Sequence, residues 1–237
     1  ILRMINWVFD VDGTLTPSRG KMDETFKDFF IEFASHQEVY LVTGSDHPKT
    51  VEQVGAEVTE AVNAVYNCSG NNVWSKGQEI IKSDWSIDDE VFDWLGQQLQ
   101  ASGFSLRTGN HIEERIGLVN FSVVGRNATI GERKLYVEYD NDCDERSSIA
   151  EAFNEKFFHK KLVAQVAGET GLDIMEIGCD KGQIVNYIQE PIYFFGDKMQ
   201  RGGNDYPLRI MLGKNSKWEE VDNWQQTFSI LKKTVYN

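Results

Sequence analysis

A short apolar run, Met4-Ile5-Asn6-Trp7-Val8-Phe9, ends in Asp10-Val11-Asp12-Gly13, and that junction constrains the chain more than any other segment. The β-branched and aromatic residues suit a strand buried on both faces. Side chains two apart on a strand point the same way, so Asp10 and Asp12 are expected to face one place. Two carboxylates that close need a cation or a shared proton. Mg²⁺ suits them, because carboxylate and water oxygens match a small, hard ion. With such an ion beside them, one aspartate can attack phosphorus and the other can move a proton. Asp and Gly are also common turn residues, which leaves a solvated strand-end turn as the competing reading. A calcium loop is excluded, since the sixth and twelfth places from Asp10 are Leu15 and Lys21 instead of Gly and Glu.

Three further strands are predicted to end in chemically active residues. Val39-Tyr40-Leu41-Val42 leads into Thr43-Gly44-Ser45-Asp46, with Pro48 where a first helical residue belongs. A strand, a hydroxyl-bearing turn and a helix N-terminus can hold an anion or merely cap the helix. Leu172–Ile177 precedes Gly178-Cys179-Asp180-Lys181-Gly182, and Pro191–Phe195 precedes Gly196-Asp197. Arg19 lies close enough to curl over Asp10, although by spacing alone it reads as a surface arginine. Residues 23–35 are predicted to form a helix with Phe26, Phe29, Phe30 and Phe33 on one stripe, which is core packing. Ala64–Cys68 reads as another strand, followed by a hairpin about Lys76-Gly77. In the tail, Ser216-Lys217-Trp218-Glu219 reads as a capping box ahead of a helix carrying Val221, Trp224, Phe228 and Leu231.

From Asp84 the pattern changes. Residues 88–101 and about 145–160 are predicted helices, and residues 118–123, 134–139, 162–166 and 172–177 are predicted alternating strands. Such a set suggests a small α+β module with one sheet face exposed. Asp140–Asp144 mimics a calcium loop, but Glu145 stands where Gly is required, so an acidic helix N-terminus is the better account. The division expected is a core of residues 1–81 and 181–237 with residues 82–180 inserted as a cap.

The 237 residues carry a formal net charge of -13, which argues against nucleic acid or an anionic membrane as partner. An anionic substrate then needs a local basic pocket, and Arg107, Arg115, Arg126, Arg133 and Arg146 cluster within one stretch. Surface salt bridging is the competing reading of that cluster. Cys68, Cys143 and Cys179 form no disulfide framework or zinc pattern, and the histidines have no metal-ligand spacing. No apolar run reaches membrane-spanning length. The first residues read as strand and not as a signal sequence, which leaves the cytoplasm as the expected compartment.

The segments Asp10–Thr14, Thr43–Asp46, Lys181, and Gly196-Asp197 with Gly202-Gly203-Asn204-Asp205 together resemble the four ordered motifs of the haloacid dehalogenase (HAD) superfamily of aspartyl phosphotransferases. Arg19, Ile112-Glu113-Glu114-Arg115, Gly125-Arg126 and Glu132-Arg133 narrow the resemblance to eukaryotic-type phosphomannomutases. The fold this implies is α/β: a HAD-like doubly wound (Rossmann-like) parallel sheet core with an inserted α+β cap domain of antiparallel sheet plus helices. The resemblance also implies roles. Asp10 is the nucleophile, Asp12 the acid–base, and Thr43 and Lys181 stabilise the phosphoryl group, with Ser45 the alternative to Thr43. Arg19, Arg115, Arg126 and Arg133 bind phosphate, Asp173 binds sugar hydroxyls, and Asp10, Asp12, Asp197 and Asp205 hold Mg²⁺.

Three positions depart from the family pattern. Gly171 replaces a phosphate-binding serine, Glu169 replaces a glutamine, and Met211 replaces an acidic residue. The implied reaction is ping-pong transfer between mannose 6-phosphate and mannose 1-phosphate through a phosphoaspartate, activated by a hexose 1,6-bisphosphate. A homodimer through the cap is implied as well. The alternative is a HAD-family sugar-phosphate phosphatase using the same core residues, with water as acceptor. A phospho-acceptor or metal-binding module without catalysis, the third reading, has no use for Lys181, Asp197 and a cap together.

Overall fold

The computed structural model describes residues 5–235, so the predicted strand start at Met4 lies outside the described residues. The first unit runs up to Lys82 and resumes over Gly178–Arg201 and from Asp205 onward; the second is Ser83–Ile177 with Gly202–Asn204.

In the first unit β1 (Asn6–Phe9) is followed by α1 (Glu24–His36), β2 (Glu38–Val42), α2 (His47–Val54), α3 (Ala56–Ala61) and β3 (Ala64–Asn67). The hairpin β4 (Asn72–Ser75) and β5 (Gln78–Lys82) then closes the first segment. In the second unit α4 (Asp89–Ala101), β6 (Ile112–Arg115), β7 (Leu118–Phe121), α5 (Ile130–Cys143), α6 (Glu145–Phe157), β8 (Leu162–Ala167) and β9 (Gly171–Glu176) follow. The chain returns to the first unit with β10 (Ile192–Gly196), α7 (Tyr206–Met211), β11 (Lys217–Glu220) and α8 (Trp224–Val235).

The seven-stranded sheet has the order β11-β10-β1-β2-β3-β4-β5. Its first five strands are parallel and only the terminal hairpin runs antiparallel. From β1 the chain builds outward to β3 and later returns to the opposite side at β10. The strand order therefore reverses between β1 and β10, and open α/β sheets bind ligands beyond the strands' carboxyl ends at such a point.

The strand that ends at Asp10 is fixed on both faces. On one side Phe9 meets Phe30 edge-on at 5.2 Å and stacks on Phe195 at 5.0 Å, with Phe26 and Phe33 of α1 in the same cluster. On the other, Val8 packs with Val42, Ile184 and Phe194. Aromatic pairs of this kind are worth about 0.5–1.5 kcal/mol each beyond their buried area. The helix begins where Asp23 accepts a hydrogen bond from the Phe26 amide at 3.0 Å.

The second unit has a four-stranded antiparallel sheet of order β6-β7-β9-β8, backed by helices through Val91, Leu95, Phe121, Tyr136, Phe153, Phe157 and Ile174.

Two predicted elements take a different form. Residues 134–139 are not a strand but part of α5, and β6 is the fourth strand instead. The alternation of Leu135, Val137 and Tyr139 is misleading, because Tyr136 and Asp140, four apart, are the buried pair and Leu135 is exposed. A capping box between Thr129 and Glu132 starts the helix. Ser216–Glu219 is no capping box: its hydroxyl accepts from the Ile192 amide at 2.9 Å, and Lys217–Glu220 extends the sheet as an edge strand. Helix α8 starts later, where Asn223 accepts from the Gln226 amide. The acidic stretch Asp140–Cys143 is instead the last turn of α5, and of it Asp140 accepts from the Arg146 amide at 2.8 Å, while Asp144 before α6 makes no side-chain cap.

Candidate active site

The switch point between β1 and β10 gathers the acidic residues. The Asp10 amide continues the ladder by donating to the Phe195 carbonyl at 2.9 Å, which leaves its side chain beyond the strand end with 4% of the residue exposed. Lys181, itself buried, donates from Nζ to Oδ1 of Asp10 at 2.6 Å and to Oδ1 of Asp205 at 2.7 Å. Thr14 donates to Oδ2 of Asp10 at 3.3 Å. The second oxygen of Asp205 accepts from the amides of Asp197 and Lys198 at 3.1 and 3.0 Å. Asp205 thereby shapes the turn after β10 and anchors the lysine.

Asp10, Asp197 and Asp205 each offer an oxygen, and the three lie within 4.8 Å of one another. Three carboxylates around one buried ammonium leave an excess of negative charge. Burial, followed by Asp205, pushes the Asp10 carboxyl well above its usual range, although Lys181 pulls the other way. Burial and Asp205 push Asp197 up to about 6. Burial acts against the charge on Lys181, but Asp10 and Asp205 outweigh it and raise its pKa. An all-oxygen donor set with unneutralised charge fits Mg²⁺. Two glycines make the approach possible. Gly13 has φ of 80°, and a Cβ there would lie 2.5 Å from Oδ2 of Asp197; one at Gly196 would lie 2.6 Å from Oδ2 of Asp205.

Asp12 behaves otherwise than its spacing predicts. Strand β1 ends before Asp10, and the Asp12 carboxylate is not among the three gathered acidic groups. Its Oδ1 accepts from the Arg19 amide at 2.6 Å and from Gln53 Nε2 at 2.8 Å. Arg19 contributes this amide with a φ of 56°. Thr43 is buried at the end of β2, and its hydroxyl oxygen accepts from the Ser45 amide at 3.1 Å, so the hydroxyl hydrogen is left to donate elsewhere.

In the second unit, Arg115 is paired with Glu113 at 2.6 Å and Arg126 approaches the same carboxylate at 3.4 Å. Burial opposes the charge on Glu113, but Arg115 and Arg126 overcome it and lower its pKa. Arg133 is 3.5 Å from Glu169, the residue at one of the departures. Arg133 Nε is buried without a hydrogen-bond acceptor, while Arg126 Nε and Arg133 Nη1, also buried, lie only at ion-pair distance from Glu113 and Glu169. Buried guanidinium groups in that condition are suited to an anion. Asp173, buried on β9, accepts from Asn120 Nδ2 at 2.8 Å. At Gly171 a Cβ would come within 2.7 Å of the same Asn120 nitrogen, so the Asn120 amide takes up the space that a side chain there would need.

The model of eukaryotic phosphomannomutases matches residues 26–236. The chain belongs to that family. The match begins beyond the Asp10–Thr14 segment, whose reading rests on its geometry. A phosphomannomutase of Oryza sativa subsp. indica is 32% identical over 210 residues, covering 85% of this chain and 84% of the relative. One from Saccharomyces cerevisiae is 29% identical over 219 residues, covering 86% and 84%. The fold is similar to that of the C-terminal domain of a Candida albicans trehalose-6-phosphate phosphatase (TM-score 0.65, 12% identity, covering 98% of this chain and 91% of that one). It is also similar to an IMP-bound Plasmodium falciparum IMP-nucleotidase (TM-score 0.65, 15% identity, covering 99% and 68%). These neighbours establish the HAD-like fold.

Within this member of the phosphomannomutase family, three polar residues carry no local sequence signal of their role. Gln53 sits inside an ordinary amphipathic helix, and Asn120 lies mid-strand. Glu113 stands out in the sequence only as the neighbour of Arg115. All four residues of β7 are buried, and a polar residue on a wholly buried strand demands a partner.

Proposed function

We propose that the chain interconverts mannose 6-phosphate and mannose 1-phosphate with Asp10 as the phosphoryl carrier. One observation carries the reading: the chain holds two distinct phosphate chemistries. The first is a buried nucleophile with its lysine and acidic partners. The second is the buried arginine group, in which Arg133 Nε has no acceptor while Arg126 Nε and Arg133 Nη1 meet carboxylates only at 3.4 and 3.5 Å. A monophosphate phosphatase needs only the first.

Asp10 attacks phosphorus as the bond to the sugar oxygen breaks, and that oxygen takes a proton from Asp12. In the second half the other sugar hydroxyl attacks the phosphoaspartate, gives its proton to Asp12 and frees Asp10. Lys181 and the Thr43 hydroxyl offset charge on the phosphoryl oxygens, fixed in place before the reaction begins. Arg115, Arg126 and Arg133 hold the phosphate not being transferred, and Asp173 accepts from sugar hydroxyls. Asp10, Asp197 and Asp205 would hold Mg²⁺, whose contribution there is to neutralise phosphoryl charge. A hexose 1,6-bisphosphate loads Asp10 at the start.

The reaction's setting is a reducing compartment, taken to be the cytoplasm, in keeping with three free cysteines. Among the described residues no helix is long and apolar enough to cross a membrane. A homodimer through the inserted unit belongs to the same reading, and sedimentation equilibrium tests it.

Phosphorus NMR decides the reaction. With mannose 1-phosphate, Mg²⁺ and a trace of hexose 1,6-bisphosphate, growth of the 6-phosphate is expected. Release of inorganic phosphate alone would assign a phosphatase.

A further inference from the structure

Gln53 belongs to none of the groups assigned so far, yet it touches one of them. It is 2% exposed on α2, and its Nε2 donates to Oδ1 of Asp12 at 2.8 Å and reaches the Gly20 carbonyl at 3.4 Å. Its main-chain carbonyl accepts from the Met22 amide at 2.7 Å, which ties the helix to the loop that follows Asp12. Its Oε1 is buried without a hydrogen-bond partner. Leaving such an oxygen bare is destabilising, so packing alone does not account for an amide here. With a carboxylate facing it, the amide must turn its nitrogen toward Asp12.

The Arg19 amide donates to the same oxygen at 2.6 Å. Two donors on Oδ1 concentrate negative charge there and fix the plane of the carboxyl group. Oδ2 is the atom left to carry a proton. We propose that Gln53 is a positioning residue that, with the Arg19 amide, locks Oδ1 of Asp12 so that every proton transfer runs through Oδ2. This rests on the reading of Asp12 as acid–base. In one direction Asp10 attacks phosphorus, the bond from phosphorus to the sugar oxygen breaks, and that oxygen takes the proton from Oδ2. In the other a sugar hydroxyl attacks the phosphoaspartate, its proton passes to Oδ2, and Asp10 leaves as carboxylate.

Leaving-group dependence separates this role from a structural one. Acetate leaves phosphorus without needing a proton, whereas a sugar alkoxide needs one. In the full chain, Gln53→Leu should lower kcat with hexose phosphate by about 100-fold with KM little changed. Labelling of Asp10 by acetyl phosphate should fall by less than about tenfold. Gln53→Asn, which keeps the amide but falls short of Asp12, should give the same selective loss to a smaller degree. Placed on Asp12→Ala, Gln53→Leu should add little further loss. Equal losses with both phosphoryl donors, or wild-type sugar transfer in either Gln53 variant, would overturn the proposal. Should the unaltered protein release only inorganic phosphate from hexose phosphates, the mutase reading fails. Gln53 is then still judged by the same ratio of sugar-phosphate to acetyl-phosphate rates.

Discussion

Replacing Lys181 with methionine keeps most of the side-chain volume and removes the ammonium that touches both Asp10 and Asp205. Its Nζ lies 2.6 Å from one carboxylate and 2.7 Å from the other, and the residue is 1% exposed. Water therefore cannot replace it without opening the site. Breaking a buried ion pair from one side costs about 3–5 kcal/mol, because the remaining charge is left uncompensated. At about 2–4 °C per kcal/mol for a chain of this size, the midpoint of unfolding should drop by about 6–20 °C. The pH dependence follows from sign. Without the lysine, the Asp10 carboxyl, already pushed well above its usual range by burial and Asp205, loses the charge that pulls it down. A raised acid pKa favours folding below the unfolded value and disfavours it as pH climbs through the folded value. The deficit of Lys181→Met should thus be small near pH 4 and grow toward neutrality. Circular dichroism melts in EDTA across that range measure it. A deficit independent of pH, or none at all at neutrality, would refute the idea that Lys181 compensates these carboxylates.

Further outcomes follow from the same geometry. Gly13→Ala should unfold more readily by about 1–3 kcal/mol, since its Cβ would sit 2.5 Å from Asp197 Oδ2 at a φ of 80°. Chemical denaturation reads that loss, and wild-type stability would contradict the close approach. Mg²⁺ should raise the melting midpoint more above pH 7 than below pH 5, because protons compete for Asp197, whose carboxyl is pushed up to about 6. Equal thermal shifts at both ends would remove Asp197 from the ion's ligands. Arg133→Met deletes a guanidinium whose buried Nε lacks an acceptor and whose Nη1 is 3.5 Å from Glu169. A charged hydrogen bond is worth about 1.5–3 kcal/mol, so KM for hexose phosphate should rise by about 10- to 100-fold in steady-state assays. An unchanged KM would return Arg133 to a surface role.

The strand ends were legible because each pairs an apolar run with a polar residue that such a run would otherwise exclude. Asp10, Thr43 and Asp197 stand out in that way, and Lys181 and Asp205 follow from short glycine-containing turns. Register and parallel order are not written locally, so the meeting of Asp10, Asp197 and Asp205 needed the sheet itself. Gln53 and Asn120 were hidden because an amide in a helix or strand is unremarkable until its neighbours are known. Asp12 was misplaced by extending strand periodicity past the point where β1 stops. In α5 the alternation of Leu135, Val137 and Tyr139 hid a capping box at Thr129 and Glu132 that was present in the sequence all along. At Ser216 the reverse happened: a capping signature was overridden by pairing of Lys217–Glu220 along β10.

The most direct test is to find where phosphorus goes. Incubation with radiolabelled hexose 1,6-bisphosphate and Mg²⁺, followed by acid quench, proteolysis and mass spectrometry, should place one acid-stable, base-labile phosphoryl group on Asp10, absent in Asp10→Asn. Label on any other residue, or turnover that persists in Asp10→Asn, would contradict the assignment of Asp10 as the carrier.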